Sequence, residues 1–414
     1  MEAGHETNMR GGETMNKWPL VRRISAGFLM LAAGCVAWTA RLAAGHAKTK
    51  VLGLDRVIAF TYTPSKFDLK QLHSVTLVGP VGPLDWKDWQ GRNVVAGVGH
   101  TWADLLRSPL EKAVSNLTEQ DFGGNPRPVV MIDEFGFDYG GNIDQRSAEL
   151  LREVKRKKPD LALAVFDMRG PVAPVLAEAY RDAADLVMME SYVAGPRQYW
   201  LIAFQAWSAR RYGILPKTIF ILGLGKGGNP GENWAESKEE IERQIRFVRL
   251  IAPESPGIGF FGGTPELVAS ADAVCARLSH IPTNGSGLPA EALDIAKTFR
   301  GHYSKPTLLV SPSFVGPNFT ADAKQFADPR TMRVYVINLG DEDATNVRMR
   351  LRDRPELGGN VFAEGAAPVV PKHDAAIAVL PITGHWQEWV GEWVVEVDAP
   401  GSDVVTFKPE PPGK

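Results

Sequence analysis

Residues 128–141 read PVVMIDEFGFDYGG, an apolar run that stops at Asp133 and Glu134 and gives way to glycines and aromatics. Such a run, bounded by turn formers, suits a strand buried on both faces, and a strand of that kind has no internal use for two adjacent carboxylates. The conflict disappears if the run belongs to a parallel barrel, where the C-terminal strand ends open toward a ligand.

Similar runs recur at residues 56–62 (RVIAFTY), 74–80 (SVTLVGP), 93–99 (NVVAGVG), 161–167 (LALAVFD), 185–191 (DLVMMES), 218–225 (TIFILGLG) and 257–263 (GIGFFGG), with helix-like segments between them. With 128–134 they make eight strand–helix units, which predicts an α/β chain with a (β/α)8 TIM barrel over residues 50–285. A doubly wound open sheet is the alternative. Its glycine-rich turn would follow the first strand, where Tyr62-Thr63-Pro64-Ser65 stands instead. The first two units are compressed, so their helices are expected to be short or irregular.

Helix punctuation supports the count. Ser237 and Glu240 form a capping box ahead of IERQIRFVRLI, and Thr264-Pro265-Glu266 opens another helix. SAELLREVKRKKPD (147–160) has helical spacing, a basic end and Pro159 as its stop.

Residues 286–302 form a linker with one short helix, after which only strand patterns occur, predicting a small all-β sandwich over 303–414. Residues 1–47 differ in kind. Lys17, Arg22 and Arg23 precede an apolar segment from Ile24 to Ala40, which reads as a secretory signal cut after Ala47 or, alternatively, as a membrane anchor. Translation from Met15, a lipoprotein box at Leu31–Cys35 and a twin-arginine signal at Arg22-Arg23 are weaker variants of that reading. Cutting beyond Cys35 leaves Cys275 alone, so the mature chain has no intrachain disulfide, which fits a bacterial periplasm or exterior. A near balance of 46 basic and 48 acidic residues, with no basic run longer than Lys155–Lys158, argues against a nucleic-acid partner.

In the barrel frame Asp133 and Glu134 end the fourth strand, Asp167 the fifth and Glu190 the sixth. Neighbouring residues on a regular strand face opposite ways, so only one of Asp133 and Glu134 is expected to face the pocket. Asp167 suits a helix cap, or a partner for Arg169, as well as it suits a ligand. Facing carboxyls across a pocket are what glycosidic cleavage needs, one to protonate the leaving oxygen and one to act as nucleophile or base. Aromatic supply agrees, because flat rings pack on sugar faces: Tyr62, Tyr139, Tyr192, Trp102 and Trp234 fall near strand ends. Trp200 and Trp207, seven apart on a helix, read as packing residues instead. GLGKGG at 223–228 is read as a tight loop that leaves room above the pocket, with Lys226 as a substrate contact, and His100 as a pocket hydrogen-bonder. No His/Cys cluster has transition-metal spacing, and no cofactor is expected.

These acid positions resemble the superfamily of barrel glycoside hydrolases, whose catalytic acids end the fourth and a later strand. The resemblance covers residues 56–280 and implies a carbohydrate substrate, with Glu134 as general acid, Glu190 as its carboxylate partner and Asp133 tuning or replacing Glu134, the roles being exchangeable. The remaining pocket residues would be Asp167, Tyr62, His100, Trp102, Tyr139, Tyr192, Lys226 and Trp234. The seventh strand departs from one clan's pattern, ending Gly223-Leu224-Gly225-Lys226 without an acid, which favours a fourth/sixth-strand pair. RVYVINLGDEDATNVRMRLR (333–352) resembles a hairpin of bacterial immunoglobulin-like sandwiches. Two other functions are open: a metal-assisted lyase or hydrolase holding Mg²⁺ or Ca²⁺ on the acids, and a non-catalytic glycan-binding protein that uses the aromatics alone.

Overall fold

The computed structural model describes residues 50–62, 68–135, 143–167, 174–226, 234–316, 331–353, 359–381, 393–402 and 405–407. The leader at 1–47 and Tyr139 lie outside these residues. Among the described residues no helix is long and apolar enough to cross a membrane.

The eight apolar runs form β1 (Val57–Thr61), β2 (Leu77–Val81), β3 (Val95–Thr101), β4 (Val129–Phe135), β5 (Ala162–Asp167), β6 (Leu186–Ser191), β7 (Thr218–Leu224) and β8 (Gly257–Gly262). All pair in parallel in sequence order, and β8 returns to β1 from Val57 beside Gly257 to Thr61 beside Phe261, which closes the barrel. The described helices of the outer ring are α1 (Trp102–Arg107), α2 (Leu110–Thr118), α3 (Ile143–Lys157), α4 (Pro174–Ala183), α5 (Trp200–Arg211), α6 (Lys238–Ile251) and α7 (Pro265–Cys275). The two compressed units carry short 3-10 turns, Leu69–Gln71 and Asp85–Trp89.

The two-residue strand period sorts each strand into two cores. Val57, Ala59, Val129, Met131, Phe166, Met188 and Ile221 fill the barrel interior, while Ile58, Phe60, Ile132, Val165, Met189 and Leu222 pack outward against the helices. Burying each such side chain contributes about 1.5–3 kcal/mol, so reversing the register of one strand would cost several such terms. Gly97 is needed where Met131 crosses the interior, because a Cβ there would lie 2.5 Å from the methionine methyl. Ser237 caps α6 by accepting the Glu240 N–H at 3.2 Å, and the Glu240 carboxylate accepts the N–H of Glu236 rather than that of Ser237.

Beyond the barrel, α8 (Ala290–Arg300) sets Ala292 and Ala296 into the outer core. The chain then builds β9 (Leu308–Gly316), β10 (Thr331–Asn338), β11 (Ala344–Asp353), β12 (Val361–Val370), β13 (Asp374–Pro381), β14 (Trp393–Asp398) and β15 (Val405–Phe407). They form two antiparallel sheets, in the orders β13-β10-β9 and β12-β11-β14-β15, around a shared core of Val334, Val336, Val347, Met349, Leu351 and Val395. The expected hairpin at 333–352 is therefore a crossing: β10 pairs with β9 and β13, and β11 with β12 and β14. Asn338 pins the crossing. Its carbonyl oxygen accepts from the N–H groups of Thr307 and Gly340 at 3.1 and 2.9 Å, and its amide donates to the carbonyls of Glu342 and Val370 at 2.8 and 3.1 Å. Four bonds saturate one buried amide, so the Asn in this pattern marks a change of sheet.

Barrel and sandwich meet across α5. Phe204 is buried against Ile337 and Leu339, with Trp200, Trp207, Phe299, Tyr303 and Leu309 packed around them. Arg211 at the end of α5 forms an ion pair with Asp374 and stacks over Tyr212 at 4.3 Å. Trp200 and Trp207 pack, as their spacing suggested.

Candidate active site

The end of β4 is irregular. Ile132 stands beside Val165 of β5 and Phe135 beside Asp167, so two residues of β4, Asp133 and Glu134, oppose the single Phe166. This is a β-bulge, and Glu134 carries it in the left-handed region at φ 54°. A carboxylate side chain in that conformation is uncommon and costs free energy. Its result is that Ile132 and Phe135 both face the outer core, which leaves the pair between them for the barrel mouth. The expectation that only one of the two acids can face the pocket assumed a regular strand, and the bulge removes that premise.

Glu190 needs no irregularity. Leu186 and Met188 point inward on β6, so the two-residue period brings Glu190 to the same interior, where it is 7% exposed. Its neighbour Ser191 turns outward and donates to the Gln205 side-chain carbonyl at 2.5 Å, while the Gln205 amide donates to the Glu190 backbone carbonyl at 2.7 Å. Helix α5 thus fixes the strand end that presents Glu190.

The electrostatics follow from this crowding. Burial raises the Glu190 carboxyl well above the usual carboxylate range, and the charges of Asp133, Glu134 and Asp167 raise it further. Among the described residues every charge acting on it is a carboxylate, which favours its protonated form. Asp133 is also raised by burial, against two hydrogen bonds that lower it: one from the Tyr62 hydroxyl at 2.6 Å and one from the Glu134 backbone N–H. Tyr62 itself, at φ 48°, is held neutral by burial and by the surrounding acids, as is Tyr192.

Aromatic rings wall the mouth. Phe261 of β8 lies 5.2 Å from Tyr62, 5.0 Å from Tyr192 and 5.7 Å from Trp234, ring centre to ring centre, and Tyr192 lies 4.8 Å from Trp234. Each such pair contributes about 0.5–1.5 kcal/mol beyond its buried area. Trp234 reaches this place because β7 ends in glycine: the Trp234 N–H bonds the Gly225 carbonyl at 2.7 Å, and its indole lies where a Cβ on Gly223 would come within 2.4 Å. The room that GLG provides is taken by Trp234. Phe261 was not singled out from the sequence, although alternating Gly257, Gly259 and Phe261 carried a signal: a strand with no inward side chains until its last inward position.

The structure thus brings together Asp133, Glu134, Glu190, Tyr62, Tyr192 and Trp234. Asp167 does not join them. It is fully buried on the outer side of β5, where it accepts the Tyr180 hydroxyl of α4 at 2.6 Å, and it reaches Glu190 only through its charge. Its inward expectation fails on parity, because Phe166 holds the inward position. Trp102 is a correction of the same kind: it is fully buried in the outer core, 5.1 Å from the Phe135 ring. Lys226 is exposed beyond β7. His100 lines a separate cavity beside Tyr62. Among the described residues no group of three or more His, Cys, Asp or Glu is placed to hold a metal ion.

No family model matches the chain, and no curated protein matches it. Among solved structures it is similar to an endo-β-N-acetylglucosaminidase from Cordyceps militaris, at 12% identity and a TM-score of 0.43 over 56% of this chain and 96% of that one. It is also similar to a chitinase from Chromobacterium violaceum, at 13% identity and a TM-score of 0.40 over 56% and 100% of the two chains. A third is the spore cortex-lytic enzyme SleL of Bacillus megaterium, at 10% identity and a TM-score of 0.38 over 53% and 73%. Likeness at this level carries no argument about chemistry, which rests on the site geometry.

Proposed function

We propose that the protein is a glycoside hydrolase that uses carboxyl groups from β4 and β6. One observation carries the reading: Asp133, Glu134 and Glu190 converge on one aromatic-walled mouth, and among the described residues only carboxylates act on Glu190. Acids so arranged share protons at neutral pH, which supplies a proton donor and an anionic partner in one site. Glu190, the more deeply buried, is the donor to the leaving glycosidic oxygen. Glu134 supplies the carboxylate that attacks the sugar or activates water, and Asp133, held by Tyr62, orients and balances the pair. This exchanges the roles expected from the sequence, because burial rather than strand number decides which carboxyl keeps its proton. Tyr192, Trp234 and Phe261 offer ring faces and edges to the sugar. Residues 15–47, as a secretion signal or anchor, would place this activity in the bacterial envelope or exterior.

Hydrolysis of a panel of oligo- and polysaccharides by the purified chain, beside Glu134→Gln and Glu190→Gln and with EDTA in parallel, tests the reading. Activity that survives EDTA and falls roughly 10²–10⁴-fold in both variants supports the pair. Activity lost to EDTA would move the assignment to metal-assisted chemistry, and activity indifferent to both substitutions would remove these acids from the mechanism.

A further inference from the structure

Away from the mouth the ring of helices is incomplete between β2 and β3, where the 3-10 turn Asp85–Trp89 stands in place of a helix. A turn that short leaves part of β3 uncovered, and a cavity of about 120 Å³ remains between it, the start of β3 and the approach to β4. Val94, Val95 and Ala96 line it from the strand side. The seven residues of β3 rise about 3.3 Å each, so about 20 Å of strand separates this cavity from the mouth.

Its walls are flat and apolar, and its charge is of one sign. Trp89 is buried, and the Arg92 guanidinium lies over its ring at 5.2 Å, fixed there by donating to the carbonyls of Lys70 and Leu72 at 3.0 and 2.7 Å. Trp86 packs over Gly123, where a Cβ would come within 3.4 Å of the indole nitrogen. Asn125 accepts the Arg127 backbone N–H on its side-chain oxygen at 2.9 Å, which leaves its amide nitrogen as a donor. Arg127 is exposed at the rim, and among the described residues neither it nor Arg92 forms an ion pair. Among the described residues no carboxylate lines the cavity either. The acids of the neighbouring turns are engaged: Asp85 accepts the Gly82 N–H at 3.0 Å, Asp88 pairs with Lys70 at 3.3 Å, and Asp121 accepts the Gly123 N–H at 2.7 Å.

We propose that this cavity binds a small organic anion, a carboxylate carried on a single flat ring, with the ring against the Trp86 and Trp89 indoles and the carboxylate at Arg127. Size sets the ring: an apolar cavity of about 150 Å³ holds benzene, so one of about 120 Å³ that opens to solvent takes the body of one ring and leaves its polar group at the rim. Charge sets the carboxylate, because a guanidinium presents paired N–H donors that match its two oxygens, and the second arginine adds to the same potential. A neutral sugar donates as much as it accepts and finds no carboxylate here to receive its hydroxyls. The site lies at the other end of β3 from the acid cluster, so the proposal stands or falls apart from the hydrolase reading.

Ligand-observed NMR on the full chain tests this with benzoate, its uncharged isostere benzamide, and acetate. Benzoate should bind, benzamide about tenfold more weakly for want of the charge, and acetate more weakly than benzoate for want of the ring. Arg127→Gln, at an exposed side chain, should weaken benzoate about tenfold and leave benzamide within a few-fold. Glu190→Gln should change neither, which separates this cavity from the mouth, and melting curves confirm that each variant folds. No binding of benzoate, equal binding of benzamide or of acetate, or benzoate binding that is indifferent to Arg127→Gln or lost in Glu190→Gln would overturn the proposal.

Discussion

The ends of β4 and β5 lie side by side, and both are acidic, yet their carboxylates have opposite surroundings. On β4 a bulge turns Asp133 and Glu134 toward the mouth, among other acids and rings. On β5 the regular two-residue period sends Asp167 outward, where the Tyr180 hydroxyl satisfies it. The same residue type at equivalent strand ends opens to the mouth in one case and is packed away in the other. The difference lies in one extra residue and one unfavourable φ, which is backbone strain held at the barrel mouth.

If that contrast is right, the largest effects belong to the mouth. Glu134→Gln and Glu190→Gln should each lower kcat by roughly 10²–10⁴, read as initial rates on whichever glycan the panel identifies. Tyr62→Phe removes the hydrogen bond to Asp133 and should lower kcat by about tenfold, with a changed pH profile as the mark of an altered acid rather than a damaged fold. Asp167→Ala should cost about 1–3 kcal/mol of stability, because it takes the acceptor from a buried hydroxyl, while the rate per folded molecule stays within a few-fold. A larger loss of rate there, in protein shown to be folded by its melting curve, would break the comparison.

The smallest effect sharpens it. Because the Glu190 carboxyl is raised, the folded protein binds that proton more tightly than the unfolded chain does, and stability falls as pH rises from the ordinary value of 4.5 toward the folded one. Glu190→Gln removes that loss. The variant should melt above the parent near pH 7 and level with it near pH 4 in paired thermal scans, since below both pKa values the parent carboxyl is protonated in either state. A parent that melts higher near pH 7 would mean that Glu190 is ionised and has a cation partner.

The barrel was legible because its signal is repetitive: eight apolar runs and well-placed caps such as Ser237 and Thr264 agree with one another. The acids at strand ends were legible for a related reason, since carboxylates conflict with apolar neighbours. Direction was harder to read. Asp167 and Trp102 differ from Glu190 and Trp234 by strand parity and by where a loop returns, neither of which a short motif encodes. The bulge was hidden because Glu134 occupies a conformation for which glycine would have been the visible sign. The resemblance at 333–352 recorded the residue pattern around Asn338 and not the change of sheet that the Asn fixes.

Helix α5 has one further consequence. One side of it holds the Glu190 strand end through Gln205, and the other lies under Ile337 and Leu339 of the sandwich. A helix that is apolar on both sides has no face to give to water. An excised barrel, cut after Arg300, would therefore uncover Phe204 and Trp207 on the very element that anchors the Glu190 strand end. The appended sheets are in that sense the missing outer wall of the barrel, and the smallest autonomous form of this chain would have to include them.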